Sequence, residues 1–335
     1  AVMLLTCLID PPTGMSGLAF KTAGLAFWMA SWWVSEVVPI PATSLLPLVI
    51  SPIADIAPIK STAAPYAHPL IFLFLGGFLI SIAMERWGLH KRIALTTMLY
   101  AGKKPSLQIL AMMLVTAFLS MWISNTATTM MLLPVGMAVV GQVARQSNLN
   151  GRRDKSSEKQ VVESMGLVLM LGLAYSASIG GVGTLIGTAP NIVFAGFYKN
   201  LYPENPAISF VEWMTMAVPV VIIFIPIVWV YLCKFVSPIP LNQIEFSKGN
   251  ENIIKDELAA LGKITRPEKM VASVFAATAL MWIFRKPLEL GSITLPGWSS
   301  LFSNPEMLND SSVAMIMGIL LMLLVLGQPL RLRLF

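Results

Sequence analysis

The sequence predicts an all-α polytopic membrane protein that contains broken transmembrane helices and a re-entrant hairpin. Of its 335 residues, 56% are hydrophobic and only 12% are charged, about half the charged share of a soluble domain. Long apolar runs alternate with short polar ones, which is the pattern of a multi-span chain. Two runs, residues 107–143 and 166–198, are longer than one span needs and carry polar residues in their middle.

Charge and cysteine content exclude several other classes of protein. The net charge of +6 comes from Lys and Arg in the loops, which indicates membrane topology rather than nucleic-acid binding. Cys7 and Cys233 are too few and too separate for a disulfide framework or a metal site. His68 and His90 are both predicted in loops or at headgroup level. No His, Asp or Cys cluster lies inside an apolar run, so a membrane enzyme is disfavoured.

Residues 1–104 are predicted to form scaffold transmembrane helices and one interfacial helix. The segment 16–38 is a tryptophan-rich helix whose indoles are typical of interfacial anchors. Glu36 at its end is either a structural residue at a helix break or a buried functional carboxylate. Residues 69–84 form a clear span, and 93–100 mix charge with apolar residues, as in a helix lying on the membrane surface.

An uncharged polar cluster occupies the centre of the run 107–143, in the sequence Ser120-Met-Trp-Ile-Ser-Asn-Thr-Ala-Thr-Thr129. Hydroxyls and an amide at that depth are tolerated where they line a cavity or meet other protein. Residues 105–143 are therefore predicted to form a re-entrant hairpin with a Ser-Asn-Thr tip. Basic loops on both sides support this, because a hairpin keeps both in the cytoplasm. Two full crossings would also satisfy the charges, but the cluster has no strong turn residue.

A second interruption lies in Ser176-Ala-Ser-Ile-Gly-Gly-Val-Gly-Thr-Leu-Ile-Gly-Thr-Ala-Pro-Asn191. Four glycines and a proline disfavour a continuous helix, and the alternative is a glycine packing face with a kink. Paired interrupted segments favour a transporter site. The predicted organisation is completed by a cytoplasmic basic loop at 144–163, a broken helix with the following span at 164–236, a cytoplasmic connector at 237–269, and further spans at 270–335.

These two interruptions suggest a function. Hydroxyl and carbonyl oxygens can hold a cation, and the N–H groups at helix N-termini can hold an anion. The sequence therefore predicts a secondary transporter of anions coupled to sodium, with Na⁺ as its ion and a bilayer as its surroundings. A sodium-independent anion exchanger of related fold and a truncated, non-transporting fragment remain alternatives.

Three stretches together resemble the divalent anion/sodium symporter family, which transports dicarboxylates, citrate and sulfate. The resemblance covers nearly the whole chain. The stretches that carry it are Ser120 to Thr129 with Met131-Leu-Leu-Pro134, Ser178-Ile-Gly-Gly-Val-Gly-Thr-Leu-Ile-Gly-Thr-Ala-Pro-Asn191, and Trp32-Trp-Val-Ser-Glu-Val-Val-Pro-Ile-Pro41 with Leu73-Phe-Leu-Gly-Gly-Phe78 and Gly88-Leu-His-Lys-Arg92.

The resemblance implies a homodimer of inverted repeats in the inner or plasma membrane, working by an elevator mechanism. Family members carry two Ser-Asn-Thr hairpins and two broken helices, and this sequence contains one of each. It is thus expected to be truncated at both ends, with an incomplete second repeat whose scaffold starts in residues 270–335.

The resemblance also implies site residues. Sodium would be bound by Ser120, Ser124 and Asn125, with carbonyls near Gly187. A di- or tricarboxylate such as succinate or citrate, or a sulfate ion, would contact Asn125 and Thr126 on the hairpin and Thr188 on the broken helix.

Overall fold

The computed structural model is helical throughout, apart from one short hairpin of strands. It describes residues 6–100, 104–149, 155–237, 250–290 and 293–326. The chain divides into two compact units, residues 1–71 and 72–335. The all-α class expected from the sequence is confirmed in both.

The first unit is built on helix α1 (Gly17–Ser35). Ser16 caps its N-terminus, because the side chain accepts a hydrogen bond from the Ala19 N–H at 3.2 Å. The helix ends at Glu36, which adopts a left-handed conformation with φ of 50°. That residue is exposed, so its position fits the structural alternative predicted for it rather than a buried functional carboxylate.

Short helices complete this unit: α2 (Ile40–Ser44), α3 (Leu46–Ile53), α4 (Ile59–Ala63) and a 3-10 turn (Ala64–Ala67). Prolines at or just before their first turns fix the backbone for helix entry and lose no hydrogen bond there. The Lys21 ammonium donates to the Ala54 carbonyl at 2.8 Å. The apolar core consists of Leu25, Trp28, Met29, Leu46, Ile50, Ala54 and Ile56.

The second unit holds the longer helices, and α5 begins just before it. Their bounds are α5 (Pro69–Arg86), α6 (Leu89–Tyr100), α7 (Pro105–Ser120), α8 (Asn125–Leu149), α9 (Lys155–Val182), α10 (Ala189–Leu201), α11 (Phe210–Tyr231), α12 (Asn250–Ala260), α13 (Arg266–Ile283) and α14 (Asp310–Leu326). A π-helical turn, Leu232–Val236, extends α11. Helix α9 is central, because it packs against α7, α8 and α11.

Three described helical segments are long and apolar enough to cross a membrane: Pro69–Arg86, Val162–Val182 and Phe210–Val236. The predicted span at 69–84 is the first of these. The two arms of the predicted hairpin, Pro105–Ser120 and Asn125–Gly141, are apolar but shorter. Helix α8 itself continues to Leu149, so the re-entrant hairpin and the side of the membrane on which its flanking loops lie stay predictions.

The structure differs from the sequence-based prediction at His90. Its side chain is only 2% exposed, and ring Nδ1 lies 3.2 Å from the Met84 carbonyl, so the predicted solvated or headgroup-level position was wrong. Burial lowers the pKa of His90, and nearby Lys91 lowers it further, against the opposing effects of the Met84 carbonyl and Glu85. The ring is buried because α6 is covered by α7 and α12.

Helices also extend into segments predicted as loops. Helix α8 continues to Leu149 and α9 begins at Lys155, so the described part of the basic loop 144–163 is largely helical and residues 150–154 lie outside the described residues. The connector 237–269 contains α12, while its residues 238–249 also lie outside them. Within 270–335, strands β1 (Leu288–Leu290) and β2 (Ile293–Leu295) pair antiparallel.

Close helix packing depends on glycines without side chains. A methyl group on Gly180 of α9 would overlap the backbone of Ala117 on α7. Likewise, a methyl group on Gly76 of α5 would overlap the backbone of Ala314 on α14. Small residues at these crossings let two backbones approach closely. Such packing is how helices associate in a membrane, where the hydrophobic effect does not drive association between them.

An ion pair joins three elements at one end of the second unit. Arg92 of α6 binds Glu268 of α13, with Nε 2.9 Å from Oε1. The same guanidinium donates to the carbonyl of Gly262 at 3.1 Å, just beyond α12. Glu268 also closes a capping box with Thr265 at the start of α13. The carboxylate therefore caps one helix and ties it to two others.

Loss of the Glu268 charge is expected to destabilise the protein in a pH-dependent way. Burial raises the pKa of Glu268, but hydrogen bonds from Arg92 and Thr265 outweigh this and hold the pKa below its ordinary value of 4.5. The stabilisation is therefore fully present above that value and lost as pH falls through the lower folded-state pKa. Glu268→Gln keeps the capping box and should cost about 1–3 kcal/mol at neutral pH.

The measurement is thermal unfolding in detergent between pH 7 and pH 3.5, with the exposed Glu306→Gln as matched control. Wild type and Glu268→Gln should differ at pH 7 and converge below about pH 4.5, while Glu306→Gln follows wild type throughout. A constant gap between Glu268→Gln and wild type at every pH would contradict the role given to this charge.

Candidate functional site

The predicted polar interruptions are true breaks between helices. Helix α7 ends at Ser120 and α8 begins at Asn125, with residues 121–124 between them. Ser124 sets the start of α8, because its hydroxyl accepts a hydrogen bond from the Ala127 N–H at 3.3 Å. Helix α9 ends at Val182, and α10 begins after Thr188, its N-cap residue. Polar and glycine residues are placed where the backbone leaves the helix.

A cluster of oxygens surrounds the Ser120 side chain, which is fully buried. Its Oγ lies 2.7 Å from Asn125 Oδ1 and 2.7 Å from the carbonyl oxygen of Ala177 on α9. The hydroxyl has one proton and can donate it fully to only one of those acceptors. The Ser120 hydroxyl, the Asn125 amide and the Ala177 carbonyl therefore meet at one buried point.

Two glycines bring the second break against this cluster. The Asn125 amide lies directly over Gly181, where any added methyl group would overlap it. A methyl group on Gly187 would overlap the Gly181 carbonyl oxygen and lie 3.0 Å from the Ser120 carbonyl oxygen. The structure thus brings together three of the predicted residues: Ser120, Asn125 and Gly187.

Thr184 ties the two breaks together. Its hydroxyl donates to the Met121 carbonyl in the first break and accepts from the Gly187 N–H at 3.2 Å in the second. The hydroxyl is buried, so this link is shielded from solvent. The two loops are therefore connected by a direct hydrogen-bonded bridge as well as by packing.

The other predicted residues lie around this centre. Ser124 is half-buried and caps α8, while Thr126 is exposed. Thr188 is half-buried and follows Gly187, and its side chain makes no capping hydrogen bond to α10. Neither Thr126 nor Thr188 takes part in the oxygen cluster that the described residues form around Ser120.

Three buried polar atoms near these breaks have no hydrogen-bond partner within the described protein: Trp122 Nε1, Thr128 Oγ1 and Ser176 Oγ. Thr128 lies in the first turn of α8, and Ser176 precedes Ala177, whose carbonyl oxygen belongs to the cluster. Buried polar atoms without partners are rare in folded proteins. Unpartnered atoms of this kind also occur at Thr43, Trp87 and His90 among the described residues, so they accompany the site without defining it.

Trp122 anchors the first break to helices α11 and α13. Its ring centroid lies 5.9 Å from that of Phe210, 6.2 Å from that of Trp282 and 4.9 Å from that of Phe275. The first two rings are stacked on it and the third meets it edge-on, which are favourable aromatic geometries. The course of residues 121–124 is thus fixed by aromatic packing from outside the hairpin.

Several residues at the site were not among those predicted. They are Trp122, Ser176, the Ala177 carbonyl, Gly181, Thr184 and Asn191. Most lie within the two polar stretches singled out in the sequence, so their general location was detectable. Their roles depend on side-chain and carbonyl directions, which spacing along the chain does not reveal.

The chemistry available here is that of neutral oxygens and amides. Across the described residues, no group of three or more His, Cys, Asp or Glu could hold a metal ion. Ser120, Asn125 and the backbone carbonyls offer instead the uncharged oxygens that suit a weakly bound, hard cation. Helix α8 begins at Asn125, which lies over Gly181, and α10 begins two residues after Gly187; helix N-termini favour an anion.

Comparison with known proteins gives a consistent picture. Residues 1–327 match the family model described as the sodium:sulfate symporter transmembrane region. The chain is 34% identical over 323 residues to the sodium-dependent dicarboxylate transporter SdcS of Staphylococcus saprophyticus. It is 36% identical over 325 residues to the protein of that name from Staphylococcus aureus strain NCTC 8325. Each alignment covers 96% of this chain and 58% of the relative.

The chain therefore spans 58% of the length of these curated relatives. The resemblance predicted from the three sequence stretches is confirmed, and both the family and the relatives are transporters rather than enzymes. The apolar helices agree with a position in the inner or plasma membrane. The chain belongs to the family of the sodium:sulfate symporter transmembrane region and is a multi-pass integral membrane protein.

Proposed function

We propose that this chain serves the sodium-coupled symport of a divalent anion. The observation that carries the proposal is the oxygen cluster around Ser120, in which Asn125 Oδ1 and the Ala177 carbonyl both lie 2.7 Å from one hydroxyl. A buried hydroxyl, a side-chain amide and a backbone carbonyl gathered at a helix break are neutral oxygen ligands of the kind that hold sodium in transporters.

The sodium site would be formed by Ser120 and Asn125, with Ser124 and the carbonyl of Gly187 completing the oxygen set. Support comes from the helix ends: α7 ends at Ser120 and α9 ends at Val182, so the negative ends of two helix dipoles lie near the site. Carbonyls freed where transmembrane helices break are a recurrent source of sodium ligands in transporters.

The anion would lie at the N-termini of α8 and α10, with Asn125, Thr126 and Thr188 as its contacts. Donors at helix N-termini bind carboxylate or sulfate oxygens without a buried arginine. A dicarboxylate such as succinate is the favoured substrate, because the relatives are named sodium-dependent dicarboxylate transporters. Citrate and sulfate, the latter named in the family description, are the competitors to test.

Disturbing Asn125 is expected to weaken sodium binding. Asn125→Ala removes a proposed ligand, and Gly181→Ala pushes the intact amide aside because the new methyl overlaps it. Both should raise the sodium concentration for half-maximal thermal stabilisation at least roughly tenfold, as loss of metal-site residues does. The readouts are sodium-dependent stabilisation in detergent and sodium-driven uptake of labelled succinate into proteoliposomes.

Gly141→Ala is the matched control, because no atom lies within 4 Å of a methyl group at that helical position. It should retain the wild-type sodium response. Potassium in place of sodium, and sulfate or citrate in place of succinate, complete the series. Uptake that proceeds equally in potassium would favour a sodium-independent exchanger and overturn the proposal.

The re-entrant hairpin can be tested by labelling from one side of the membrane. With Cys7 and Cys233 replaced by serine, single cysteines in segments 86–104 and 150–159 should react with an impermeant maleimide from the same side. A hairpin that enters and returns requires this, as the basic character of both segments predicts. Reaction from opposite sides would mean that residues 105–143 cross the membrane once.

We further propose that transport proceeds by an elevator motion in a homodimer, as the family resemblance implies. A unit that carries the site would move against a scaffold held at the dimer interface. Light scattering of the detergent-purified chain should give twice the mass of its 36.5 kDa protomer after subtraction of detergent. A protomer mass at all concentrations, with sodium response intact, would remove the dimer from the proposal.

A further inference from the structure

Asn191 is a buried amide to which the proposed function gives no role. It lies in the first turn of α10 and is 5% exposed. Its side chain does not point into solvent or lipid but turns back toward the end of α9. A primary amide has two N–H protons, each of which can satisfy one carbonyl.

The Asn191 side chain binds the carbonyls of the helix break. Its Nδ2 lies 2.7 Å from the Thr184 oxygen and 2.9 Å from the Gly181 oxygen, with the Val182 oxygen further off at 3.4 Å. The Val182 oxygen receives a stronger donor, Trp213 Nε1, at 2.8 Å. One amide and one indole thus supply the N–H groups for three carbonyls of the break, those of Gly181, Val182 and Thr184.

These donors pair with carbonyls that the helix break leaves without a hydrogen-bond partner. The last carbonyls of a helix have no partner within it, and at membrane depth no bulk water replaces that partner. Of those in this break, the Gly180 carbonyl is satisfied locally, by the Gly183 N–H at 2.8 Å. The Gly181 carbonyl accepts from Asn191, and the Thr184 carbonyl accepts its shorter bond from Asn191 and a longer one, at 3.3 Å, from the Gly187 N–H.

Gly181 links this amide to the sodium site. Its Cα lies against the Asn125 amide. Its carbonyl oxygen accepts a hydrogen bond from the Asn191 side chain and packs against Gly187. A rotation of the Gly181 peptide would therefore move the surfaces that contact both Asn125 and Gly187. Asn191 holds that peptide in one orientation.

We propose that Asn191 is the positioning residue of the sodium site, acting through the Gly181 and Thr184 carbonyls. The inference rests on the proposed function insofar as it concerns sodium. Asn191 touches none of the oxygens of the Ser120 cluster, and its effect is to fix the peptide on which Asn125 and Gly187 rest.

Two variants separate this role from a contribution to α10 alone. Asn191→Leu removes the N–H donors at similar volume. Asn191→Asp also removes them, but a carboxylate in the first turn favours α10 through its dipole. Hydrogen exchange of the peptide covering residues 181–190, measured without sodium, should be at least roughly tenfold faster in both variants. Wild-type exchange in Asn191→Asp would assign the side chain to α10 and overturn the inference.

The second measurement is the sodium midpoint of thermal stabilisation in Asn191→Leu, which should rise at least roughly tenfold. A purely structural residue would lower the melting temperature in potassium yet leave that midpoint unchanged, and this result would also overturn the inference. Asn205→Ala is the matched control, because that exposed amide donates only to the Tyr198 hydroxyl at 3.0 Å.

The two proposals fail in different ways. A wild-type chain without any sodium response removes the sodium site, and the exchange data then decide alone whether Asn191 positions the break. A normal wild-type response that persists unchanged in Asn191→Leu, with wild-type exchange, removes the positioning role and leaves the sodium site standing.

Discussion

The break in α9 imposes the constraint on which the rest of the site depends. A helix that stops inside an apolar environment exposes carbonyls that must find donors from protein. The chain meets this need with side chains from later elements, chiefly Asn191 of α10 and Trp213 of α11. In addition, Gly180 lets α9 lie directly against the backbone of α7. The end of α9 is therefore held by close packing on α7 and by hydrogen bonds from α10 and α11.

Hydrogen bonding differs between the two breaks. On the α10 side, the carbonyls of Gly181, Val182 and Thr184 each have a donor within 3 Å. On the α7 side, two acceptors compete for the single proton of Ser120, and the buried hydroxyls of Thr128 and Ser176 have no partner among the described residues. Under the proposed function, a bound sodium ion would supply a further partner for the oxygens on this side.

Much of this could be predicted from sequence, because polar residues inside apolar runs are costly and so mark breaks. The end of α7 at Ser120, the start of α8 at Asn125 and the approach of Gly187 all fall within the two predicted stretches. Contacts between distant segments could not be predicted: Arg92 meets Glu268, 176 residues away, and Trp122 stacks on rings of α11 and α13. His90 was misplaced because its charged neighbours suggested exposure, whereas packing buries its ring.

The arrangement of helix ends offers a physical basis for coupling under the proposed function. The C-termini of α7 and α9 and the N-termini of α8 and α10 meet at the same two breaks, so partial charges of both signs lie side by side. Without a cation, the oxygens around Ser120 would repel an anion arriving at Thr126 and Thr188. A sodium ion bound among these oxygens turns that repulsion of the anion into attraction. At a separation of about 5 Å and an effective dielectric of about 20, it would attract each unit of anion charge by roughly 3 kcal/mol, a factor of about a hundred in affinity. A site without a fixed cation can therefore couple the two solutes more strictly than one with an arginine could, because the sodium charge adds to the attraction of the helix N-termini only while sodium is bound.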